Sequence, residues 1–265
     1  MNRSIPIAMT IAGSDSGGGA GIQADLRTFA AFGVHGTCAV TALTAQNTRG
    51  VEAVQTTARA VLRAQIEAVL EDFRVGAIKL GMLATPTLAR EVVAVLAAHR
   101  KIPLILDPVL VATTGARLGT RALATTLRRD LLPRVDLVTP NIPEAEALLG
   151  RRIRRADMHA AARELLDLGA RAVLLKGGHL AGGEVSDLLL TRHAEYWFHQ
   201  RRLAGEYHGT GCTLSAAIAA CIARGAELDA AVETAIAFVQ DALRAGYRPG
   251  KGRLRVLDTG HPRVD

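Results

Sequence analysis

Short apolar runs alternate with longer helical runs along this chain, and that alternation leaves few folds open. Strand patterns cover residues 6–12, 36–43, 75–80, 103–107, 135–139 and 172–176, with two more at 186–190 and 196–203. Helical patterns cover 20–32, 58–73, 86–99, 121–131, 144–149, 158–168, 211–224 and 230–245. Thr85-Pro86 has the form of an N-cap followed by a first-turn proline, and Gly150 and Gly169 stand where helices stop. Strands that are apolar throughout and separated by helices build a mostly parallel sheet covered on both faces. The expected class is α/β: three α/β/α layers with a central, mostly parallel sheet. No low-complexity linker and no fixed-period repeat interrupts the 265 residues. One domain over 1–265 is expected, with a loose basic tail from about Tyr247, or a tail folded back over the last helix.

Composition excludes several classes. Hydrophobic residues make up 49% and aromatics 3%, so the core is built from Ala, Val, Leu and Ile. No apolar run reaches the roughly 18 residues of a membrane span, and no membrane partner is expected. The residues ahead of Ile5 are too few and too polar for a signal peptide. The three cysteines, Cys38, Cys212 and Cys221, are odd in number and lack CxxC spacing, so neither a disulfide framework nor a zinc site is expected. A reducing cytoplasm is the expected home. The net charge of +7 raises the question of a nucleic-acid partner. The densest basic cluster, Arg151-Arg152-Ile153-Arg154-Arg155, has no interleaved aromatics and reads as a solvated loop. No nucleic-acid partner is expected, and a modest positive field favours anionic substrates.

In an open α/β sheet, ligands bind beyond the carboxyl ends of the strands, and the unusual residues of this chain fall there. Gly13-Ser14-Asp15-Ser16-Gly17-Gly18-Gly19-Ala20-Gly21 follows the first strand, and Thr44-Ala45-Gln46-Asn47-Thr48 the second. Gly81-Met82, Asp107-Pro108, Thr139-Pro140-Asn141-Ile142-Pro143-Glu144 and Lys176-Gly177-Gly178-His179 follow the next four. The glycine loop has neither the P-loop spacing nor the GxGxxG spacing with its distant acid, so a dinucleotide site is disfavoured. Its density of glycine favours close backbone approach to a ligand. Asp107 and Glu144 could organise Mg²⁺ through water. Equally, Asp107 could cap a strand end, and Glu144 sits in a first helical turn where an acid favours the dipole in any case. Lys176 either is paired or reaches a phosphate, and the glycines after it leave room for one. Gln46 can donate and accept, as reading a heterocycle edge requires. His208-Gly209-Thr210-Gly211-Cys212 opens a strong helical run. The unpaired N–H groups and dipole of a helix start bind phosphate and lower a thiol pKa, whereas burial opposes the latter.

Together these segments resemble the bacterial hydroxymethylpyrimidine/phosphomethylpyrimidine kinases of the ribokinase-like superfamily. The resemblance runs through residues 12–25, Thr44-Ala45-Gln46-Asn47-Thr48, Lys79-Leu80-Gly81-Met82-Leu83, Asp107-Pro108-Val109, Lys176-Gly177-Gly178-His179 and residues 208–220. It implies a ribokinase-like fold, ATP as co-substrate with Mg²⁺, and a homodimer. It also implies successive phosphorylation of 4-amino-5-hydroxymethyl-2-methylpyrimidine and of its monophosphate, which supplies the pyrimidine half of thiamine. By that resemblance Gln46 binds the pyrimidine edge, and Gly13, Asp25, Met82 and Val109 line its pocket. Asn141 and Glu144 match an Asn-x-x-Glu element at the Mg²⁺–phosphate site, which Asp107 joins, and Lys176 contacts nucleotide phosphates. Gly209, Thr210 and Gly211 form the anion hole. Cys212 stands where most sugar kinases of the superfamily carry an aspartate base. It is expected to orient the hydroxymethyl group and accept its proton late. The segment 110–115 and the Arg-rich tail depart from the family. A pyridoxal or pyridoxine kinase on the same scaffold is the alternative, which Gln46 and Met82 disfavour. A non-catalytic ligand sensor is disfavoured by the presence of Lys176, Glu144, Asn141 and Cys212.

Overall fold

The computed structural model describes residues 5–110 and 119–260. Among the described residues, nine strands form one sheet in the order β3-β2-β1-β4-β5-β6-β7-β8-β9. Its centre is parallel: β2 (His35–Asn47), β1 (Ile7–Asp15), β4 (Ala77–Leu80), β5 (Leu104–Leu106), β6 (Leu137–Val138) and β7 (Ala172–Leu175). The edges are antiparallel, with β3 (Gly50–Thr56) on one side and β8 (Glu184–Thr191) and β9 (Glu195–Arg201) on the other.

The two-residue period of a strand sends alternate side chains to opposite faces, and here it divides the core into two layers. Met9, Ile11, Ile78, Leu80, Leu104, Leu106, Val173 and Leu175 face one layer. That layer contains α2 (Arg59–Asp72), α3 (Pro86–Val95), α4 (Arg121–Thr126), α5 (Ile142–Leu149) and α6 (Met158–Asp167). Ala8, Ala77, Ile105, Ala172 and Leu174 face α1 (Gly21–Ala31), α7 (Thr210–Ala223) and α8 (Leu228–Arg244). Helix α7 is buried continuously from Thr213 to Cys221. Its alanine-rich surface admits close approach: a Cβ on Gly76, just before β4, would lie 3.1 Å from the Ala223 Cα.

The α/β three-layer expectation matches this arrangement, with shifts at element ends. Helix α3 stops at Val95 and passes into a short tighter turn over Leu96–Ala98, while α4 passes at Leu127 into a wider turn over Leu127–Leu131. Strand β3 was not expected. Nearly all of it is exposed, so its sequence carries no apolar alternation to read. The loose-tail expectation is corrected for the described part of the tail. Leu254, Val256 and Leu257 are buried, and β11 (Arg255–Val256) pairs in parallel with β10 (Tyr207–His208). Tyr247 and Val256 exchange backbone hydrogen bonds, and Asp258 N–H donates to Ala242 C=O. Gly252 N–H donates to Thr48 Oγ1, so the segment also crosses the β2–β3 hairpin. Apolar Leu254, Val256 and Leu257 outweigh the arginines around them. Residues 111–115 of the segment that departs from the family, and residues 261–265 of the tail, lie outside the described residues.

Candidate active site

A cleft of about 810 Å³ opens along the carboxyl edge of the parallel strands. The glycine loop forms one end. Its organiser is Asp15: Oδ1 accepts from Gly17 N–H, and Oδ2 accepts from Gly19 and Ala20 N–H at 3.0 and 2.8 Å. Burial alone would raise the Asp15 carboxyl. The His208 contact and the N–H bonds of Ala20 and Gly17 outweigh it and hold the group below its ordinary value. Two glycines let the loop meet the start of α7. Gly209 has φ +86°, and a Cβ there would lie 1.9 Å from the Gly19 carbonyl oxygen. Gly21 has φ +59°, and a Cβ there would lie 2.4 Å from the Gly13 carbonyl oxygen. The first turns of α1 and α7 therefore face each other across the cleft floor. In α7 the backbone ladder begins with Thr213 N–H to Gly209 C=O. The N–H groups of Thr210, Gly211 and Cys212 precede it and have no partner within the helix.

Beside that turn lies a charged cluster. Lys176 Nζ is 3.0 Å from Asp107 Oδ1, and a Cβ on Gly211 would lie 3.1 Å from the same ammonium. Lys176 is thus paired, and the pairing sets its ammonium beside the start of α7. Burial disfavours the Lys176 charge, but Asp107 and Glu144 more than offset it and raise the pKa. Asn141 and Glu144 form a capping box at the start of α5. Asn141 N–H donates to Glu144 Oε2, and Glu144 N–H donates to Asn141 Oδ1, both at 2.9 Å. Burial, with a contribution from Asp107 and against the pull of Lys176, pushes Glu144 up to about 7. Among the described residues no group of three or more His, Cys, Asp or Glu side chains is placed to hold a metal ion. The pair Asp107 and Glu144 still fits Mg²⁺, which keeps several waters and takes one or two carboxylates plus substrate phosphates. A cation there would favour the charged form of Glu144 against the burial that raises it.

Gly13, Gln46, Met82 and Val109 line the cleft as expected, and so do Asp107, Asn141, Glu144, Lys176 and the residues from Gly209 to Cys212. Asp25 does not. It is fully buried beneath the lining, where both carboxylate oxygens lie within 2.9 Å of Lys79 Nζ and Oδ2 accepts from Thr10 Oγ1 at 2.6 Å. A carboxylate at 0% exposure, like Lys79 itself, persists only when paired and hydrogen-bonded. At Cys212 burial outweighs the helix start. Burial pushes its thiol up to about 12, against the Lys79 charge and the Gly21 N–H. Burial therefore favours the protonated thiol over the thiolate.

Sequence reasoning gave no individual role to four residues. Lys79 was legible as a lone lysine inside an apolar strand, which implies a buried partner. Asp15 stands in a glycine-rich loop where a short acid commonly gathers backbone N–H groups. His208 and Asp187 gave no local signal. Asp187, which also lines the cleft, accepts Gly177 N–H at 2.8 Å, and burial pushes it up to about 6 against that bond and Lys176. The basic run at 151–155 is accounted for by pairing with Glu164, Glu146, Asp157 and Ser186, consistent with a surface loop.

Comparison with known proteins adds to the geometry. A hydroxymethylpyrimidine/phosphomethylpyrimidine kinase of Synechococcus elongatus is 48% identical over 260 residues, covering 94% of this chain and 95% of that one. The crystal structure of a phosphomethylpyrimidine kinase from Clostridium difficile superposes with TM-score 0.81 at 40% identity, over 91% of this chain and 100% of that one. A Staphylococcus aureus pyridoxal kinase, solved in complex with AMP-PCP and pyridoxal, gives TM-score 0.89 at 31% identity, over 99% and 96% of the two chains. The family described as phosphomethylpyrimidine kinase matches residues 15–257. With that match over most of its length, the chain belongs to the phosphomethylpyrimidine kinase family.

Proposed function

We propose that the protein transfers the γ-phosphoryl group of ATP to the hydroxymethyl oxygen of 4-amino-5-hydroxymethyl-2-methylpyrimidine, and then transfers a second group to the monophosphate. The observation that carries this reading is the meeting of the α7 start, Lys176 and the Asp107–Glu144 pair at one place in a cleft that also holds Gln46. Phosphoryl transfer rests on positioning and on stabilising charge on the transferred group, with little covalent chemistry for the protein to do. The N–H groups of Gly209, Thr210, Gly211 and Cys212 and the Lys176 ammonium face that group. Asp107 and Glu144, with Asn141 fixing the Glu144 carboxylate, would hold Mg²⁺, which when bound neutralises phosphate charge. Gln46 reads the ring edge, with Gly13, Met82 and Val109 around it. Asp25 acts from beneath by fixing Lys79.

The acceptor oxygen forms a bond to the γ-phosphorus as the β–γ bridging bond breaks and ADP leaves. With burial favouring its protonated form, Cys212 orients the hydroxyl and leaves its proton to another acceptor. The proton passes late to a phosphoryl oxygen, and a loose transition state tolerates that. Cys212→Ala should lower kcat with the pyrimidine alcohol by roughly 10–10²-fold through lost positioning, and the native kcat–pH profile should lack a thiol limb between about pH 6 and 9. Near-normal kcat in the variant would remove the orienting role. A neutral-pH limb that disappears in the variant would make the sulfur a base.

The function is tested by product analysis with the pyrimidine alcohol and MgATP. Monophosphate followed by diphosphate is expected, and no phosphorylated product would sink the reading. Pyridoxal phosphorylation is the second reading, favoured by the close superposition on a pyridoxal kinase. A higher kcat/KM for pyridoxal than for the aminopyrimidine would establish it. The three cysteines are unpaired and no described helix is long and apolar enough to cross a membrane, in keeping with a cytoplasmic enzyme. Exposed Leu43, Val54 and Val61, around the β2–β3 hairpin, offer apolar surface for a homodimer partner.

A further inference from the structure

We infer that His208 is a positioning residue for substrate recognition, holding the Gln46 amide in place and tying it to the glycine loop. The inference rests on the reading of Gln46 as the residue that meets the ring. His208 Nε2 lies 2.8 Å from Gln46 Nε2 and 2.9 Å from Asp15 Oδ2, and this single ring nitrogen serves them in turn, accepting from the amide when the proton is on Nδ1 and donating to the carboxylate when it is on Nε2. At its other end the Gln46 amide oxygen accepts from Thr44 Oγ1 at 3.4 Å. Its backbone is pinned too, since Gln46 N–H donates to Ser16 Oγ and Ser16 Oγ donates to Gln46 C=O. A glutamine side chain turns about three bonds, and ordering it when a ligand arrives costs affinity. Contacts at both ends of the amide meet that cost before binding.

The histidine is itself held on several sides. Asp15 gathers the glycine-loop N–H groups with the same oxygen that meets the imidazole. The ring occupies space that a side chain at residue 19 would need, because a Cβ on Gly19 would lie 2.4 Å from His208 Cδ2. Its backbone pairs with Val256 of β11. The next residue is Gly209, where the anion-binding turn begins. One residue thus stands between ring recognition and the phosphoryl-transfer corner.

The test compares kcat/KM for the aminopyrimidine alcohol and for pyridoxal in the full chain, with KM for ATP measured alongside. The variants are His208→Asn, His208→Gln, Gln46→Ala and the double Gln46→Ala/His208→Asn. Asparagine stays polar but stops short of Gln46, whereas a glutamine amide reaches the Nε2 position with both a donor and an acceptor. His208→Asn is expected to lose about tenfold in kcat/KM for the pyrimidine, mostly in KM, the size of one well-placed hydrogen bond. ATP KM should stay unchanged, and His208→Gln should retain most of the native value. In the Gln46→Ala background His208→Asn should add nothing further. An equal His208→Asn penalty with and without Gln46, or a matching change in ATP KM, would overturn the inference while leaving the role of Gln46 standing. A Gln46→Ala enzyme with unchanged pyrimidine KM would instead overturn the reading of Gln46, and the inference with it.

Discussion

Replacing Lys79 with methionine is expected to cost about 3–5 kcal/mol of stability at neutral pH, because it leaves the Asp25 carboxylate buried without its partner. Both side chains are fully buried, and the ammonium is 2.8 and 2.9 Å from the two carboxylate oxygens. Thr10 supplies one hydrogen bond to Asp25, which cannot replace a charge. The direction with pH follows from burial. Burial already raises Asp25 above its ordinary value of 3.8 despite the opposing Lys79 and Thr10. Without the ammonium the folded-state value rises further. A carboxyl raised on folding contributes stability below its unfolded pKa and loses it as pH rises through the folded value. The deficit of Lys79→Met relative to the native protein should therefore shrink as pH falls toward 4. Denaturant unfolding of both proteins across that range measures it. The double variant Lys79→Met/Asp25→Leu should recover much of the loss, since replacing a whole buried pair by apolar groups is often neutral or better. A single-variant loss under about 1 kcal/mol, or no recovery in the double, would show that the pair does not hold this layer.

Gly209→Ala should lower kcat by roughly 10²–10³-fold, the scale of losing a backbone donor to developing charge. Residue 209 has a left-handed backbone, and the added Cβ would meet the Gly19 carbonyl at 1.9 Å. A carbonyl on a loop held by Asp15 has little freedom to yield, so the start of α7 must swing away. That moves the Thr210, Gly211 and Cys212 N–H groups from the place where phosphate charge is received, and about 1 Å of misplacement is enough to cost 10² in rate. Steady-state kinetics together with a melting curve separate this from unfolding. Gly183→Ala is the control, since a Cβ on Gly183 would meet nothing within 4 Å and the residue has no positive φ. A Gly209→Ala enzyme within threefold of native kcat would show that the turn is not the anion site.

The parallel core was legible because its central strands are predominantly apolar and several intervening helices have a readable start or stop. The residues that line the cleft were legible for the same reason: the carboxyl ends of those strands are where ligands go, and Gln46, Asp107, Asn141, Glu144, Lys176 and Gly209 to Cys212 all fall there. What sequence concealed was depth. Asp25 stands within the glycine-loop motif, yet α1 turns it under the floor to meet Lys79. Cys212 stands at a helix start that favours a thiolate, yet burial opposes that and raises its pKa. The His208–Gln46 contact spans 162 positions, beyond the reach of any local pattern. Exposed β3 and the short β10–β11 pair had no periodicity from which to read them.

The pairing of β10 with β11 bears on where the chain can be shortened. His208 is braced by Val256, and Val256 also sits against the glycine loop, with its Cγ1 3.0 Å from a Cβ position on Gly19. A chain cut before residue 254 should therefore keep its parallel sheet and lose the support of its ligand-binding corner.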